Sequence, residues 1–343
     1  MLKSMWTALL FALLIVYAAG CGKKSDDKTN TNDTTKTITT NLISKDSASG
    51  KDKVQLKYVV KKGDVFRYKV VAKTSTSENS PATEGKEVKQ DNEINYYYNK
   101  EVNDVDQSGI ASYKVKFDSI TISSKMGDQN ISYNSNVNDT VKSNPAFIQY
   151  NSVINEPFFI RVSPEGEISD IYGLEKIYDN LFKAFGDTLK EDDKNSIKET
   201  FGKESIKEIL QQEYQIFPKQ QVMVDSSWIK SYNTQILFFD VVNNAKYTLK
   251  GLEDKDNQKF ANVEAVLNVE FKSKEATQKG MKIKVENSET TGTGKVAFNI
   301  NRGCVKTKET TTTLKIDLNL SAQGQSAKSK QGVTTNLNVT LLN

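Results

Sequence analysis

The chain has 343 residues, with 47 Lys and Arg against 43 Asp and Glu, a formal net charge of +4, and no histidine. The opposite charges are interspersed, so the sequence lacks the basic stripe that nucleic-acid binding requires. Without histidine there is no Ser-His-Asp or Cys-His catalysis of the usual kind, and no histidine-based zinc, copper or iron site. We therefore expect a non-catalytic protein with no cofactor and no metal, and we rank a carboxylate-based hydrolase last.

The chain begins with the layout of a secretory signal peptide. Lys3 precedes an apolar run from Thr7 to Tyr17, which is followed by Ala18-Ala19-Gly20-Cys21. Small residues directly before a cysteine resemble the lipobox of bacterial lipoproteins. The resemblance implies that residues 1–20 are cleaved off and that Cys21 carries a lipid anchor. The alternative is an ordinary signal peptide followed by a chance cysteine. In either case the apolar run is too short to remain as a transmembrane helix.

The next segment, residues 21–53, predicts a disordered tether. It consists almost wholly of Lys, Asp, Ser, Thr and Asn, with Ile38, Leu42 and Ile43 as its large apolar residues. Such a segment cannot bury enough apolar surface to offset its ordering entropy. About thirty flexible residues span roughly 30 Å. The resemblance to lipoproteins then implies a bacterial cell-envelope protein, anchored in the outer membrane on its periplasmic or surface face, with the membrane as a partner through the anchor.

Residues 54–343 predict one folded domain, and its first part, residues 54–171, is rich in strands. Apolar and polar residues alternate from Phe66 to Ala72 and from Ile110 to Ile122. The run Asp104–Gly109 copies the D-x-D-x-S-G opening of a calcium loop. However, Val115 occupies the twelfth position, where an EF-hand has Glu. Because the same residue types favour hairpin turns, we predict a turn.

A second hairpin pattern matches the first. Residues 97–106 align with residues 247–256, with both aspartates in step, and Ala111 aligns with Ala265 when the second turn is four residues longer. An internal duplication of a long hairpin and a chance similarity of two amphipathic hairpins fit this match equally well.

The apolar period changes between residues 172 and 216, which predicts a helical insert. Six apolar residues recur at helical spacing: Leu174, Ile177, Tyr178, Leu181, Phe182 and Phe185. Gly186 can end this helix. The simplest interpretation of the stripe is core packed on a sheet. If the sheet is curved and incompletely filled, the same six residues line a ligand cavity.

Strand patterns return in residues 220–343. Leu314, Ile316, Leu318 and Leu320 alternate with polar residues, as expected for an antiparallel sheet with one solvated face. Cys304 lies in a strand-like run, where we expect a buried thiol without a disulfide partner. Strands, helices and strands again predict an α+β fold: a large, mostly antiparallel, curved, half-barrel-like sheet with a central helical insert.

Two runs carry a family resemblance. The first is Val162–Ile168 (V-S-P-E-G-E-I), followed by Gly173-Leu174. The second is Phe217-Pro218, followed by Val224–Trp228 (V-D-S-S-W). They resemble a family of bacterial lipoproteins of Bacteroidetes type that has no assigned activity, so the resemblance transfers no catalytic residue.

The predicted architecture is also similar, more loosely, to half-barrel lipoproteins that carry lipids or other lipoproteins. This similarity implies an apolar, lipid-like ligand or an envelope protein held between sheet and helices. The alternative hypothesis is a structural or interaction module with a solid core that binds envelope components through its polar sheet face. The two hypotheses differ in whether the space between helices and sheet is filled.

Overall fold

The computed structural model describes residues 42–137, 147–186, 189–200, 202–278, 280–322 and 324–343. The strands of this part of the chain are β1 Ile43–Lys45, β2 Asp52–Val54, β3 Val65–Asn79, β4 Val88–Val105, β5 Ala111–Met126, β6 Gln129–Asn134, β7 Phe158–Val162, β8 Ile168–Tyr172, β9 Val222–Met223, β10 Ser227–Ile236, β11 Phe239–Lys255, β12 Gln258–Phe271, β13 Glu275–Gln278, β14 Met281–Asn299, β15 Cys304–Ala322 and β16 Gln325–Leu341. The helices are α1 Ile148–Val153, α2 Glu175–Phe185, α3 Glu191–Thr200 and α4 Lys203–Gln211.

Thirteen strands form one open antiparallel sheet, which confirms the predicted fold class. Its order is β10-β11-β12-β14-β15-β16-β3-β4-β5-β7-β8, with β13 on β14 and β6 on β5. The longest strands have 19 residues, or roughly 60 Å at the rise of a strand. A separate three-stranded sheet has the order β1-β2-β9.

The last strand of the chain joins the two halves of the large sheet. β16 pairs with β15 on one side and with β3, the first long strand, on the other. We call this β16–β3 pairing the seam. On the N-terminal side of the seam lie β3 to β8, and on the C-terminal side lie β10 to β16. Because the seam lies at the centre of the strand order, the sheet depends on pairing between residues far apart in sequence.

Alternation along the strands separates an apolar face from a polar one. Tyr68, Tyr98 and Val339 are buried on the face that we call the inner face, and the opposite face carries Thr, Lys, Asn and Asp. The inner face is concave. Leu314 of β15 packs in one cluster with Ile236 and Val241, although its strand is three positions from β11 in the sheet.

The helices cover the inner face on the N-terminal side of the seam. α1 packs on β5 and α2, and α4 packs on β8. α2 ends at Phe185, and Gly186 follows at a φ of 112°, as the sequence predicted. Within the predicted helical stretch, residues 189–190 are not helical, and the last helix ends at Gln211 rather than at residue 216.

The end of the predicted tether needs correction. Its last residues belong to the small sheet, where β1 and β2 pair with each other and β2 pairs with β9. Leu42 and Ile43 also pack against the main core. Backbone pairing together with two apolar side chains orders this segment despite its polar composition, so the folded part begins before residue 54. Residues 1–41, which include Cys21, lie outside the described residues.

The two matching hairpins differ in register. In the first, Ala111 lies opposite Val105. In the second, its aligned counterpart Ala265 lies opposite Tyr247, deep in the hairpin. Residues that match in sequence therefore occupy different positions in the ladder, which favours chance similarity over duplication.

Candidate functional site

A non-helical segment of the chain lies against the inner face of the large sheet. We call residues 212–217 (Gln-Glu-Tyr-Gln-Ile-Phe) the strap. It connects α4 to the small sheet, and all of its residues except Ile216 are buried. A polar segment in a core must have its hydrogen-bonding groups satisfied, so the partners of the strap define the site.

The centre of the strap is a buried ion pair. Lys100 of β4 points inward, and its Nζ binds Glu213 Oε1 with side chains only 3% and 1% exposed. Tyr98 Oη donates to Glu213 Oε2 at 2.7 Å, and Lys100 Nζ also donates to Tyr214 Oη at 2.6 Å. Each charged group thus has a second partner, which a buried pair needs if it is to offset its desolvation cost.

Aromatic rings surround the Lys100 ammonium. Its Nζ lies 4.2 Å from the ring centroid of Tyr214, 4.8 Å from Tyr113, 5.1 Å from Tyr68 and 5.4 Å from Phe66. These distances suit cation–π attraction. Burial lowers the pKa of Lys100, and the Glu213 carboxylate opposes that shift. The rings and the carboxylate together favour the charged form.

The tyrosines of the site keep their protons. Burial, and then the negative charge of Glu213, raise the pKa of Tyr68, Tyr98 and Tyr214 well above its ordinary value. Their hydroxyl groups therefore remain donors, as the bond from Tyr98 to Glu213 requires.

A second lysine reaches the strap from β15. Lys308 Nζ donates to the backbone oxygen of Tyr214 at 3.1 Å. Burial lowers the pKa of Lys308 to about 8, against an opposing effect of Glu213. The site thus holds two inward lysines and one carboxylate.

The turn between β7 and β8 holds both ends of the strap: Gln211 directly precedes it, and at its other end the Phe217 N–H donates to the oxygen of Glu165 at 2.9 Å. Gln211 accepts from the backbone N–H of Ile168 and donates to the oxygen of Gly166, both at 2.9 Å. Gly166 has a φ of +96°, and a Cβ there would lie 2.5 Å from Tyr58 and 2.7 Å from the oxygen of Gln215. Only glycine fits beneath the strap, which gives the V-S-P-E-G-E-I run a structural role.

The predicted helical stripe divides into two parts. Leu174, Ile177 and Leu181 are buried and belong to the main core. Since these three residues contact the core cluster, the interpretation of the stripe as core packed on a sheet accounts for them. A cavity lined by the stripe stays a prediction.

The other three residues of the stripe face outward to different degrees. The rings of Tyr178 and Phe182 are half-buried and stacked, with centroids 6.4 Å apart, and Lys198 of α3 lies over both rings. Phe185 is 40% exposed. Phe185 is thus much more exposed than the three buried members.

The calcium-like run forms a turn. Asp106 Oδ1 accepts from the backbone N–H groups of Ser108 and Ile110, both at 3.0 Å, and Oδ2 binds Arg161 at 2.7 Å. The Ser108 hydroxyl is the largest cause of the lowered pKa of Asp106. Across the described part of the chain, no group of three or more acidic, Cys or His residues is placed to hold a metal ion.

The remaining predicted residue in the described chain is Cys304. It is 2% exposed, and burial raises the pKa of its thiol to about 11. It is a buried small side chain, as expected from its strand.

The strap and its two lysines were not predicted from the sequence. Lys100 follows Tyr96 and Tyr98 at the inward spacing of β4, and Lys308 shares the inward spacing of Leu314 and Ile316. A charged residue at an inward position of a strand was the available signal. Glu213 gave no such signal, because its neighbours are polar.

The fold and the site define a mostly β protein: an open antiparallel sheet whose inner face holds a polar strap and a helical cover. The chain belongs to a family of unknown function, DUF6263, whose model matches residues 108–305. That range runs from the start of β5 to the start of β15, and it includes the strap and Lys100's partner Glu213.

Similar solved structures are remote. One is described as lipid-protein interactions in lipovitellin, with 10% identity and a TM-score of 0.45, covering 82% of this chain and 25% of that one. Pseudomonas aeruginosa OpdQ has 5% identity and a TM-score of 0.23, covering 82% and 100%. The chain thus spans a quarter of the lipovitellin chain it matches. No curated protein matches. No helix in the described residues is long and apolar enough to cross a membrane.

Proposed function

We propose that the protein is a non-catalytic interaction module of the bacterial cell envelope, held at the outer membrane by a lipid on Cys21. The folded part binds envelope components through polar surfaces of its sheet. The observation that supports this proposal most directly is the strap, because it lies on the inner face, where a lipid carrier would hold its ligand.

The energetics of the strap support this choice over a carrier. A lipid entering beneath the helices would have to displace Glu213 from Lys100 and Tyr98. Breaking a buried ion pair leaves an unpaired charge in the core, at a cost of about 3–5 kcal/mol. The buried stripe residues Ile177 and Leu181 are also engaged with the core.

Native mass spectrometry of the full chain purified from membranes tests the solid core. We expect the mass of the protein with its anchor and no further lipid. A second lipid bound in near-stoichiometric amount would overturn the proposal and favour a carrier with an apolar, lipid-like ligand.

Membrane fractionation tests the anchor separately. The variant Cys21→Ala should leave the membrane fraction, because it removes the residue that is predicted to carry the lipid anchor. The variant Cys304→Ala is the matched control, and it should stay with the membrane. Retention of the Cys21→Ala protein in the membrane would refute lipid anchoring at this residue.

A further inference from the structure

A group of small residues lies on the inner face of the sheet, on the C-terminal side of the seam. Ala265 of β12 lies opposite Gly294 of β14, and Gly292 and Ala245 occupy the next row, on either side of Leu267. A Cβ added at Gly294 would meet Thr310 at 3.1 Å, the Glu309 oxygen at 3.3 Å and Ala265 at 3.5 Å, all of them neighbours in the sheet itself. These residues form the floor of what we call the recess.

The recess has an upper and a lower boundary. Above it, the tip of the β10–β11 hairpin packs on Leu314 of β15. Below it, Lys308, two residues before Thr310 on β15, donates to the Tyr214 oxygen of the strap at 3.1 Å. Ala265, Thr310 and Leu337 on the floor and far wall are only half-buried, so solvent reaches the recess between these boundaries.

Unpartnered polar atoms lie on the wall formed by β10 and β11. Tyr232 and Asn243 are directly opposite each other, 4% and 1% exposed. Neither Tyr232 Oη nor Asn243 Oδ1 has a hydrogen-bond partner among the described residues. The amide of Asn243 is held in place, because its Nδ2 donates to Thr234 Oγ1 at 2.7 Å.

Buried donors and acceptors of this kind are normally satisfied. Strand alternation puts Tyr232 and Asn243 on the same face as Ala245, two residues along β11 from Asn243. The two unpartnered atoms therefore lie on the same face as the recess floor, and a hydroxyl or amide group of a ligand that reaches them would satisfy both.

Two further side chains of β10 complete the wall. Lys230 lies opposite Ala245, and Trp228 lies opposite Tyr247, with ring centroids 5.6 Å apart. Trp228 Nε1 is buried without a partner in the described chain. Along β10 the recess thus presents an indole, an ammonium and a phenol hydroxyl at alternate positions.

We propose that the recess binds an acidic sugar. Lys230 pairs with the carboxylate, Tyr232 and Asn243 bond to hydroxyl and amide groups, and the small residues Ala265 and Gly294 on the floor admit a ring against the sheet. Aromatic walls with a few fixed polar groups are typical of small-ligand sites. The inference goes beyond the proposed interaction function, because the recess lies on the inner face and not on the polar surfaces of the sheet, and it does not depend on the lipid anchor.

A fluorescence titration tests the proposal. The chain has two tryptophans, Trp6 and Trp228, so full-length protein with Trp6→Phe reports on Trp228 alone. We expect N-acetylmuramic acid to change the emission saturably. N-acetylglucosamine, which lacks the lactyl carboxylate, should bind at least tenfold more weakly. The variant Lys230→Met should remove that difference between the two sugars.

The variant Tyr232→Phe distinguishes two possible partners of the Tyr232 hydroxyl, a bound ligand and a buried structural water. It should weaken both sugars roughly tenfold, the effect of one lost hydrogen bond. In the absence of sugar it should unfold at the same temperature as the parent or higher, since the protein itself gives the hydroxyl no partner. A lower unfolding temperature would overturn the proposal, as would the lack of any saturable response to either sugar.

A second variant fills the recess. Ala265→Leu adds bulk to the floor and should abolish binding while circular dichroism shows the parental strand content. Unchanged binding by folded Ala265→Leu protein would also overturn the proposal. Failure to bind sugar with an intact anchor would leave the membrane tests above unaffected, so the two proposals fail independently.

Discussion

At the residue scale, the positive charge of Lys308 destabilises the folded state at neutral pH. Its pKa falls from an ordinary 10.5 to about 8 because the side chain is buried. At 1.36 kcal/mol per pH unit this corresponds to roughly 3 kcal/mol. Because the folded-state pKa is the lower one, the penalty is full below pH 8 and disappears as pH rises towards 10.5.

The variant Lys308→Met should therefore be more stable than the parent at pH 7. We expect a gain of about 1–3 kcal/mol, reduced because the Tyr214 carbonyl loses its donor. The gain should shrink between pH 8 and 10.5, as measured by urea unfolding across that range. Comparing the two proteins at each pH cancels other groups, such as Cys304, that titrate nearby. A difference that does not vary with pH would contradict the assignment.

At the element scale, the strap depends on one ion pair. The variant Glu213→Gln leaves Lys100 charged and without its carboxylate in a site where both side chains are almost fully buried. We expect a loss of about 3–5 kcal/mol in the free energy of unfolding. Lys100→Met should cost a comparable amount, because it leaves Glu213 unpaired beside Tyr98.

The double variant Lys100→Met/Glu213→Gln is the matched control. Residues in direct contact couple, so the double variant should be less destabilised than the sum of the two single variants by at least about 1 kcal/mol. Urea unfolding of all four proteins completes the cycle. Additive effects would show that the pair does not hold the strap.

Local periodicity was sufficient to predict the helical insert and the long strands, but not α1, the small sheet or the strap. The stripe from Leu174 to Phe185 predicted α2, because one buried face imposes a 3.6-residue period. Residues 212–217 have no period, since the segment is held by individual contacts from β4, β15 and the β7–β8 turn. Glu213 is buried because Lys100, 113 residues away, meets it. Such pairing is a property of the tertiary structure and leaves no local trace.

The predicted start of the folded part, residue 54, was wrong for a related reason. Composition treats residues 42–53 as solvated, but β2 pairs with β9, which is about 170 residues further along the chain. The unpartnered atoms of Tyr232 and Asn243 were equally hidden, because a Tyr and an Asn in an edge strand and its neighbour are ordinary in sequence. Their burial depends on the curvature that brings Leu314 to the β10–β11 tip.

At the scale of the whole molecule, the seam decides whether the two halves of the sheet unfold together. From Lys330 to Thr340, β16 is bonded on both sides, to β15 and to β3, so each backbone N–H in that stretch faces a neighbouring strand. Asn338 lies in this strand, opposite Glu309 and Val71, with an exposed side chain. Removing the backbone N–H of Asn338 therefore tests the strand pairing at the seam without changing a side chain of the core.

The variant Asn338→Pro should destabilise both halves at once. Proline removes a ladder hydrogen bond from a central strand, at a cost of about 1–3 kcal/mol for the partner left unpaired, whereas the matched control Asn338→Thr keeps the N–H and should stay close to the parent. Hydrogen exchange should show faster opening in β4 and β5 as well as in β14 and β15, because the seam makes the predicted domain one cooperative unit. Faster exchange confined to β14 and β15 would instead mean that the N-terminal half, with α2 and the strap's partner Lys100, is stable by itself.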